Sequence, residues 1–158
     1  MLQDKVSMPV PRVPTILVVD DTDVVRKSAA RCLRRRGYLV LEASSASQAL
    51  DLIAANSAQL DLMLTDLVLP ASSGVELIEE VQRRFPSIGV ACMTGHFGTS
   101  ARCERSFGAG AQVLIKPFTP NLLAQRVREA LVQAGWTAPI DSSLDLIRPT
   151  DSGEYGTH

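Results

Sequence analysis

Short apolar runs alternate with longer amphipathic segments along most of the chain. The runs predict strands at residues 15–19, 38–42, 60–66, 88–93 and 112–115. The amphipathic segments have apolar residues at helical spacing and predict helices over about 25–36, 46–54, 74–85, 100–107 and 120–134. Continuous apolar runs are typical of strands that are buried on both faces. The alternation therefore predicts an α/β fold, with a parallel sheet covered by helices on both sides.

The central strand lies in the stretch LDLMLTDLVLP, residues 60–70, and it ends at Asp66. Turn residues from Leu69 to Gly74 are expected to stop this strand. A carboxylate beside a hydrophobic core is costly unless a positive group meets it. We therefore expect other parts of the chain to supply positive charge near Asp66.

Five polar residues stand at successive strand ends: Asp20, Asp21, Asp66, Thr94 and Lys116. In open parallel sheets, ligands bind outside the carboxyl ends of the strands. Two carboxylates about 4 Å apart repel by roughly 4 kcal/mol at an effective dielectric constant of 20, and one lysine cannot neutralise three of them. A divalent cation can, and Mg²⁺ is the usual ion where carboxylates meet a phosphate. The set is suited to phosphoryl transfer, with Asp66 as nucleophile, Thr94 as hydrogen-bond donor and Lys116 neutralising the moving group.

The motifs at these strand ends resemble those of a known family. They are ILVVDD, LMLTDLVLP followed by SGVEL, VACMTG and GAQVLIKPF. Together they resemble the receiver domain of two-component response regulators across about residues 14–135, most of all receivers associated with hybrid histidine kinases. The resemblance implies a doubly wound, flavodoxin-like sheet of five parallel strands in the order 2-1-3-4-5.

The resemblance also implies a role for each site residue. Asp66 would accept a phosphoryl group from a histidine kinase, and Thr94 and Lys116 would bind the phosphoryl oxygens. Asp20, Asp21, Asp66 and the backbone carbonyl of Val68 would hold Mg²⁺. The Lys116–Pro117 bond would be cis.

The expected partners follow from the same resemblance. A sensor histidine kinase or a phosphotransfer protein would donate the phosphoryl group, and a downstream protein would read the face formed by the fourth helix, fifth strand and fifth helix. No DNA-binding output domain follows the receiver motifs, so we expect signalling by protein contact. The alternatives are a free-standing regulator, a phosphorelay intermediate or sink, and a piece of a hybrid kinase.

Four positions bear on how the signal is read and how long it lasts. Val113 stands where the family usually has an aromatic residue, so a rotating ring cannot report the switch. Gly95 is expected to loosen the loop after Thr94. Val68 and His96 lie where the family tunes phosphoryl lifetime. Apolar Val68 cannot position a hydrolytic water; for His96 the alternatives are an idle loop residue, which we favour, and a residue that positions this water.

Composition excludes several other function classes. The 158 residues include 16 Lys and Arg against 17 Asp and Glu, a net charge of -1, which provides no broad field for nucleic acid or an anionic membrane. No apolar run approaches the roughly 20 residues of a membrane helix, and the amino terminus lacks the apolar region of a secretory signal. Cys92, His96 and Cys103 lack the paired spacing of a zinc site, so we expect reduced thiols and a cytoplasmic protein.

Residues outside the motifs have plainer interpretations. Arg34, Arg35 and Arg36 precede Gly37 and are interpreted as a solvated helix end that favours the helix dipole. Residues 1–13 form a proline-containing leader. Residues 136–158 form a tail that is either disordered or an arm for docking or dimerisation, so a homodimer stands among the expected partners.

Two other functions compete with this interpretation. Asp21-Thr22-Asp23-Val24 fits the signature of haloacid-dehalogenase-type phosphatases, with Asp21 as nucleophile and Asp23 as general acid. That family needs a later acidic motif on a strand, and it leaves Asp66 unexplained. The third function, a binding module without the chemistry, has no support because all five site residues are present.

Overall fold

The computed structural model of the protein describes residues 12–95 and 112–136. Five strands form a parallel sheet: β1 (Thr15–Val19), β2 (Leu39–Ala43), β3 (Leu62–Asp66), β6 (Gly89–Thr94) and β7 (Gln112–Ile115). Between β3 and β6, two short strands pair antiparallel: β4 (Val68–Leu69) and β5 (Ser72–Ser73). Within the described ranges the helices are α1 (Asp23–Arg35), α2 (Ala46–Asn56), α3 (Gly74–Arg84) and α4 (Pro120–Gln133).

The sheet has the strand order β2-β1-β3-β6-β7. Because β4 and β5 lie outside this sheet, β6 and β7 are its fourth and fifth strands in the chain, and the predicted order 2-1-3-4-5 is confirmed. Every neighbouring pair is parallel. All five carboxyl ends therefore lie along one edge of the sheet, which we call the carboxyl edge.

Alternate residues of the central strands contribute to two separate cores. Ile16 and Val18 of β1 pack in a cluster with side chains of α1 and α4. Leu17 and Val19 pack on the opposite face with side chains of α2 and α3. All four side chains are fully buried. This confirms that the apolar runs are strands covered on both faces.

The central strand begins later than its sequence predicts, at Leu62, and ends at Asp66 as predicted. Leu60 lies in the turn after α2, where its N–H donates to the carbonyl of Asn56, the last residue of that helix (3.0 Å). The strand ends at Asp66, whose Oδ1 accepts a hydrogen bond from the Val68 N–H (3.0 Å). Asp side chains that bind their own backbone two residues on favour a turn. The predicted end of the strand at Asp66 is therefore confirmed.

Polar side chains begin three of the helices as cap residues. Ser45, Ser73 and Thr119 each accept a hydrogen bond from a backbone N–H of the first turn. Pro120 occupies the first turn of α4, as predicted. Thr22 precedes α1 without a side-chain cap bond. Instead, its N–H donates to Asp20 Oδ1 (2.8 Å), which ties the entry of α1 to the carboxyl edge.

The prediction of a solvated arginine cluster was wrong for Arg36 but confirmed for Arg34 and Arg35, which are both exposed. Arg36 is 6% exposed, and its guanidinium donates to Asn121 Oδ1 (2.9 Å) in the first turn of α4. Arg34 bonds Glu42 Oε2 (3.1 Å) and the Val40 carbonyl (2.9 Å). Both side chains extend along their aliphatic stems to contact neighbouring elements. Residue spacing along one helix does not predict such contacts. Arg35 is exposed.

Residues assigned to the leader and the tail contact the domain at the opposite, amino edge of the sheet. Arg12 forms an ion pair with Asp61, in which its Nη2 lies 2.9 Å from Oδ1 and 3.0 Å from Oδ2. Its guanidinium also lies 5.2 Å from the centre of the Trp136 ring. Asp61 Oδ2 accepts the Thr15 N–H as well (2.8 Å), so this cluster joins both chain segments to the start of β1 and β3.

The predicted helix over 100–107, the residues His96 and Cys103, and most of the leader and tail lie outside the described residues. Among the residues that are described, no helix is both long enough and apolar enough to cross a membrane.

Candidate functional site

Four strands bring the predicted site residues to the carboxyl edge. Asp20 and Asp21 follow β1, Asp66 ends β3, Thr94 ends β6 and Lys116 follows β7. Parallel pairing of β1 with β3, β3 with β6 and β6 with β7 places these positions side by side. The order of the strands thus assembles residues that are far apart in sequence.

Three carboxylates meet at this edge. One oxygen from each of Asp20, Asp21 and Asp66 lies within 4.8 Å of the others. Asp20 is fully buried and Asp66 is 7% exposed, whereas Asp21 is exposed to solvent. An all-oxygen donor set with one open side fits a hard divalent cation such as Mg²⁺, which binds through a few carboxylates and retains several waters.

Lys116 bridges two of the acids. Its Nζ lies 2.8 Å from Asp20 Oδ2 and 2.8 Å from Asp66 Oδ2. Burial lowers the pKa of Lys116, but hydrogen bonds and charge attraction from Asp20 and Asp66 outweigh it, and the pKa is raised above its ordinary value. The lysine is therefore a fixed cation at neutral pH.

The backbone around Lys116 is held against the neighbouring strand. The Lys116 N–H donates to the Thr94 carbonyl (2.8 Å), which extends the pairing of β6 and β7 by one residue. The Lys116–Pro117 bond is cis, as predicted. Thr94 itself is fully buried at the end of β6.

Backbone donors orient two of the three carboxylates. Asp20 Oδ1 accepts the Thr22 N–H (2.8 Å) and Asp66 Oδ1 accepts the Val68 N–H (3.0 Å). In each of these two carboxylates, one oxygen thus accepts a hydrogen bond from a backbone N–H and the other accepts one from Lys116. Val68, which follows the turn after Asp66, is 58% exposed.

Gly74, at the start of α3, is a site residue that the sequence analysis missed. A Cβ added there would lie 2.1 Å from the Asp66 carbonyl oxygen and 2.6 Å from the Leu67 Cα. Its own N–H donates to the Leu67 carbonyl (3.0 Å). The helix start is therefore packed closely against the backbone of the loop after β3. The available signal was a glycine placed directly after the serine cap.

Arg26 is a second residue that was missed, and it contacts the backbone of Asp20. It lies on the buried face of α1 with Ala29, Ala30 and Leu33. The available signal was a charged residue on the apolar face of an amphipathic helix. Its contacts are described below.

Comparison with known proteins agrees with this geometry. Residues 16–128 match the family described as the response regulator receiver domain. The chain belongs to this family. Receiver domains are signalling domains. The resemblance to this family and the fold that the sequence predicted are both confirmed.

Individual relatives cover most of the receiver domain. The chain is 33% identical over 121 residues to the sensor kinase CckA of Brucella abortus, covering 74% of this chain and 12% of that protein. It is 30% identical over 120 residues to a chemotaxis protein CheY homologue of Campylobacter jejuni, covering 73% of this chain and 91% of that protein. The receiver chain thus corresponds to a small part of some relatives and to nearly all of others.

Solved structures give the same result. A receiver domain from Clostridium thermocellum superposes with a TM-score of 0.69 at 29% identity, covering 77% of this chain and 96% of that one. The receiver domain of the hybrid histidine kinase CckA superposes with a TM-score of 0.62 at 33% identity, covering 74% and 98% of the two chains.

Family membership sets the phosphatase alternative aside. In that alternative Asp23 would be the general acid. In this receiver domain Asp23 lies outside the carboxylate cluster, and its Oδ1 accepts a hydrogen bond from Arg26 (2.7 Å).

Proposed function

We propose that this receiver domain accepts a phosphoryl group on Asp66 from a phosphohistidine and passes the signal on by protein contact. The single observation that carries the proposal is the placement of Lys116 Nζ at 2.8 Å from both Asp20 and Asp66, within a cluster of three carboxylates. A buried ion pair alone needs only one acid; three carboxylate oxygens within 4.8 Å of one another exceed the charge of one lysine and support a metal-assisted anion site.

The transfer step is an in-line displacement at phosphorus. An Asp66 carboxylate oxygen forms the new P–O bond as the P–N bond to the histidine breaks, and the leaving imidazole takes up a proton from solvent. Lys116 neutralises charge on the phosphoryl oxygens, and Thr94 donates a hydrogen bond to one of them in this proposal. Such positioning and electrostatic stabilisation are the main contributions a protein makes to phosphoryl transfer.

The donor set would hold Mg²⁺ through Asp20, Asp21, Asp66 and the backbone carbonyl of Val68. When bound, the ion would supply positive charge beside the developing phosphoryl oxygens. Two features of the chain support this assignment: carboxylate oxygens are suitable ligands, and Asp21 is exposed to solvent, where the ion would enter.

The proposed partners are a sensor histidine kinase or phosphotransfer protein upstream and a protein target downstream, with a homodimer also allowed. The output face would comprise the helix predicted over residues 100–107, strand β7 and helix α4, which is the fifth helix of the sequence prediction. Val113 in β7 is half-buried, and its side chain packs against the core cluster of α2 and α3. We propose that Thr94, rather than an aromatic ring at position 113, transmits the change to this face.

The proposed domain and compartment follow from the same features. Residues 14–135 would form the receiver domain, extended at its ends by the contacts of Arg12 and Trp136. The near balance of 16 basic against 17 acidic residues supports protein partners over nucleic acid or membrane. A histidine-kinase partner and reduced cysteines would place the protein in the cytoplasm.

The direct test is intact-mass spectrometry after incubation with acetyl phosphate and Mg²⁺. We expect one added phosphoryl group on the wild-type chain, none without Mg²⁺ and none on Asp66→Asn. The asparagine preserves the size of the side chain, so folding of this variant can be matched by circular dichroism. An unmodified wild-type chain, or equal modification of Asp66→Asn, would overturn the proposal.

A further inference from the structure

Arg26 is a buried cation that the phosphoryl chemistry does not use. Its side chain is 9% exposed and donates three hydrogen bonds. Nη1 donates to the backbone carbonyl of Asp20 (2.9 Å), Nη2 to Asp23 Oδ1 (2.7 Å) and Nε to Glu42 Oε1 (3.2 Å). One planar group thus joins the end of β1, the first turn of α1 and strand β2.

The charge of Arg26 is already balanced by these contacts. Burial lowers its pKa, but hydrogen bonds and attraction from Asp23 and Glu42 outweigh that effect and raise it. Two carboxylates therefore offset this guanidinium outside the acid cluster. Its link to the cluster is the bond to the carbonyl of Asp20, which is a geometric constraint.

That constraint acts on the peptide between Asp20 and Asp21. Asp20 is fixed elsewhere too, since its N–H donates to the Ala43 carbonyl (3.1 Å) and its carboxylate bonds Thr22 and Lys116. Asp21 is exposed, and its carboxylate has no hydrogen-bond partner among the described residues. The peptide whose carbonyl Arg26 holds therefore fixes the position from which the Asp21 side chain leaves the backbone.

We propose that Arg26 is a positioning residue of the magnesium site: by holding the Asp20 carbonyl, it keeps the Asp21 carboxylate facing Asp20 and Asp66. The inference rests on the proposed function, because it assigns a role toward the proposed ion. Groups that orient metal ligands without touching the metal typically change metal affinity by about 10- to 100-fold when they are removed.

The test compares Mg²⁺ affinity in Arg26→Met and Arg34→Met by isothermal titration calorimetry. Arg34 is a matched control, since it also bonds Glu42 and a backbone carbonyl, in its case that of Val40. We expect Mg²⁺ to bind roughly 10-fold or more weakly to Arg26→Met and with wild-type affinity to Arg34→Met. Circular dichroism before each titration establishes that the protein is folded, so a loss of affinity reports on the site.

Arg26→Lys tests the proposal even if the methionine variant does not fold. Lysine keeps the positive charge beside Asp23 and Glu42 but replaces the planar fork with a single nitrogen, so it cannot make all three bonds. We expect weaker Mg²⁺ binding in this variant too. Wild-type affinity in a folded Arg26→Lys or Arg26→Met variant would overturn the inference alone, whereas a wild-type chain that binds no Mg²⁺ would overturn the proposed function as well.

Discussion

Replacement of Gly74 by alanine is expected to disturb the acceptor loop directly. The added Cβ would lie 2.1 Å from the Asp66 carbonyl oxygen, while real Cβ contacts are rarely closer than 3.4 Å. The neighbouring groups are backbone atoms of Asp66 and Leu67, which cannot rotate away as a flexible side chain can. Either the start of α3 or the loop after β3 must therefore move by about 1 Å.

The magnitude of the effect follows from that displacement. Overpacking of a tight site costs about 1–3 kcal/mol in the free energy of unfolding. A displacement of about 1 Å at reacting groups can reduce a rate by about 100-fold. Since Asp66 is the proposed nucleophile, we expect Gly74→Ala to lose about 100-fold in phosphorylation rate, equivalent to about 2.7 kcal/mol, in addition to the loss of stability.

Two measurements separate these effects. Urea unfolding followed by circular dichroism gives the free energy of unfolding, and intact-mass spectrometry gives the initial rate of acetyl phosphate-dependent modification of folded protein. Gly89→Ala is the matched control, because a Cβ at Gly89 would also be crowded, 2.7 Å from the Ala134 Cβ, but at the start of β6, away from the carboxyl edge. Wild-type rate and stability in Gly74→Ala, or equal losses in both variants, would refute the steric argument.

Three further outcomes are expected. Lys116→Ala should still take up a phosphoryl group but should show smaller beryllofluoride-induced NMR shifts at Thr94 and Val113; wild-type shifts would contradict the role of the lysine. Because the folded-state pKa of Lys116 is raised, its ion pairs stabilise the protein at pH values below the ordinary lysine pKa of 10.5 and are lost as the pH rises through the folded value. The difference in unfolding free energy between wild type and Lys116→Met should therefore shrink in urea titrations above pH 10.5, and a constant difference would refute this. Asp61→Asn should reduce the unfolding free energy by about 1 kcal/mol, since Arg12 is half-exposed and the pair is screened by solvent; a loss no larger than that of Asp51→Asn, an exposed acid of α2, would contradict it.

The residues that the sequence places correctly share one property. Asp20, Asp66 and Lys116 are polar residues at the ends of apolar runs, and parallel strands bring such ends to one edge of the sheet. Their convergence needs only the strand order, which the receiver motifs imply. The same logic cannot supply interatomic distances, which depend on the turn after Asp66 and on the Thr22 N–H.

The residues that sequence analysis misses act through the backbone of another element. Gly74 matters because α3 begins against the carbonyl of Asp66, and Arg26 because its side chain crosses to the carbonyl of Asp20. Arg36 was misjudged for the same reason, since its partner Asn121 is distant in sequence. Spacing along one segment predicts which face is apolar, but it does not identify the partner across a packed interface.

The cluster of Arg12, Asp61 and Trp136 determines what the chain's one tryptophan can report. Asp61 precedes β3 and Asp66 ends it, five residues later. At about 3.3 Å per residue, the cluster with the indole is therefore about 16 Å along the strand from the proposed phosphoryl acceptor. Its fluorescence should therefore be insensitive to phosphorylation and sensitive to release of the two chain ends. Emission and circular dichroism followed through one urea titration would then show whether the ends detach before the sheet melts or together with it.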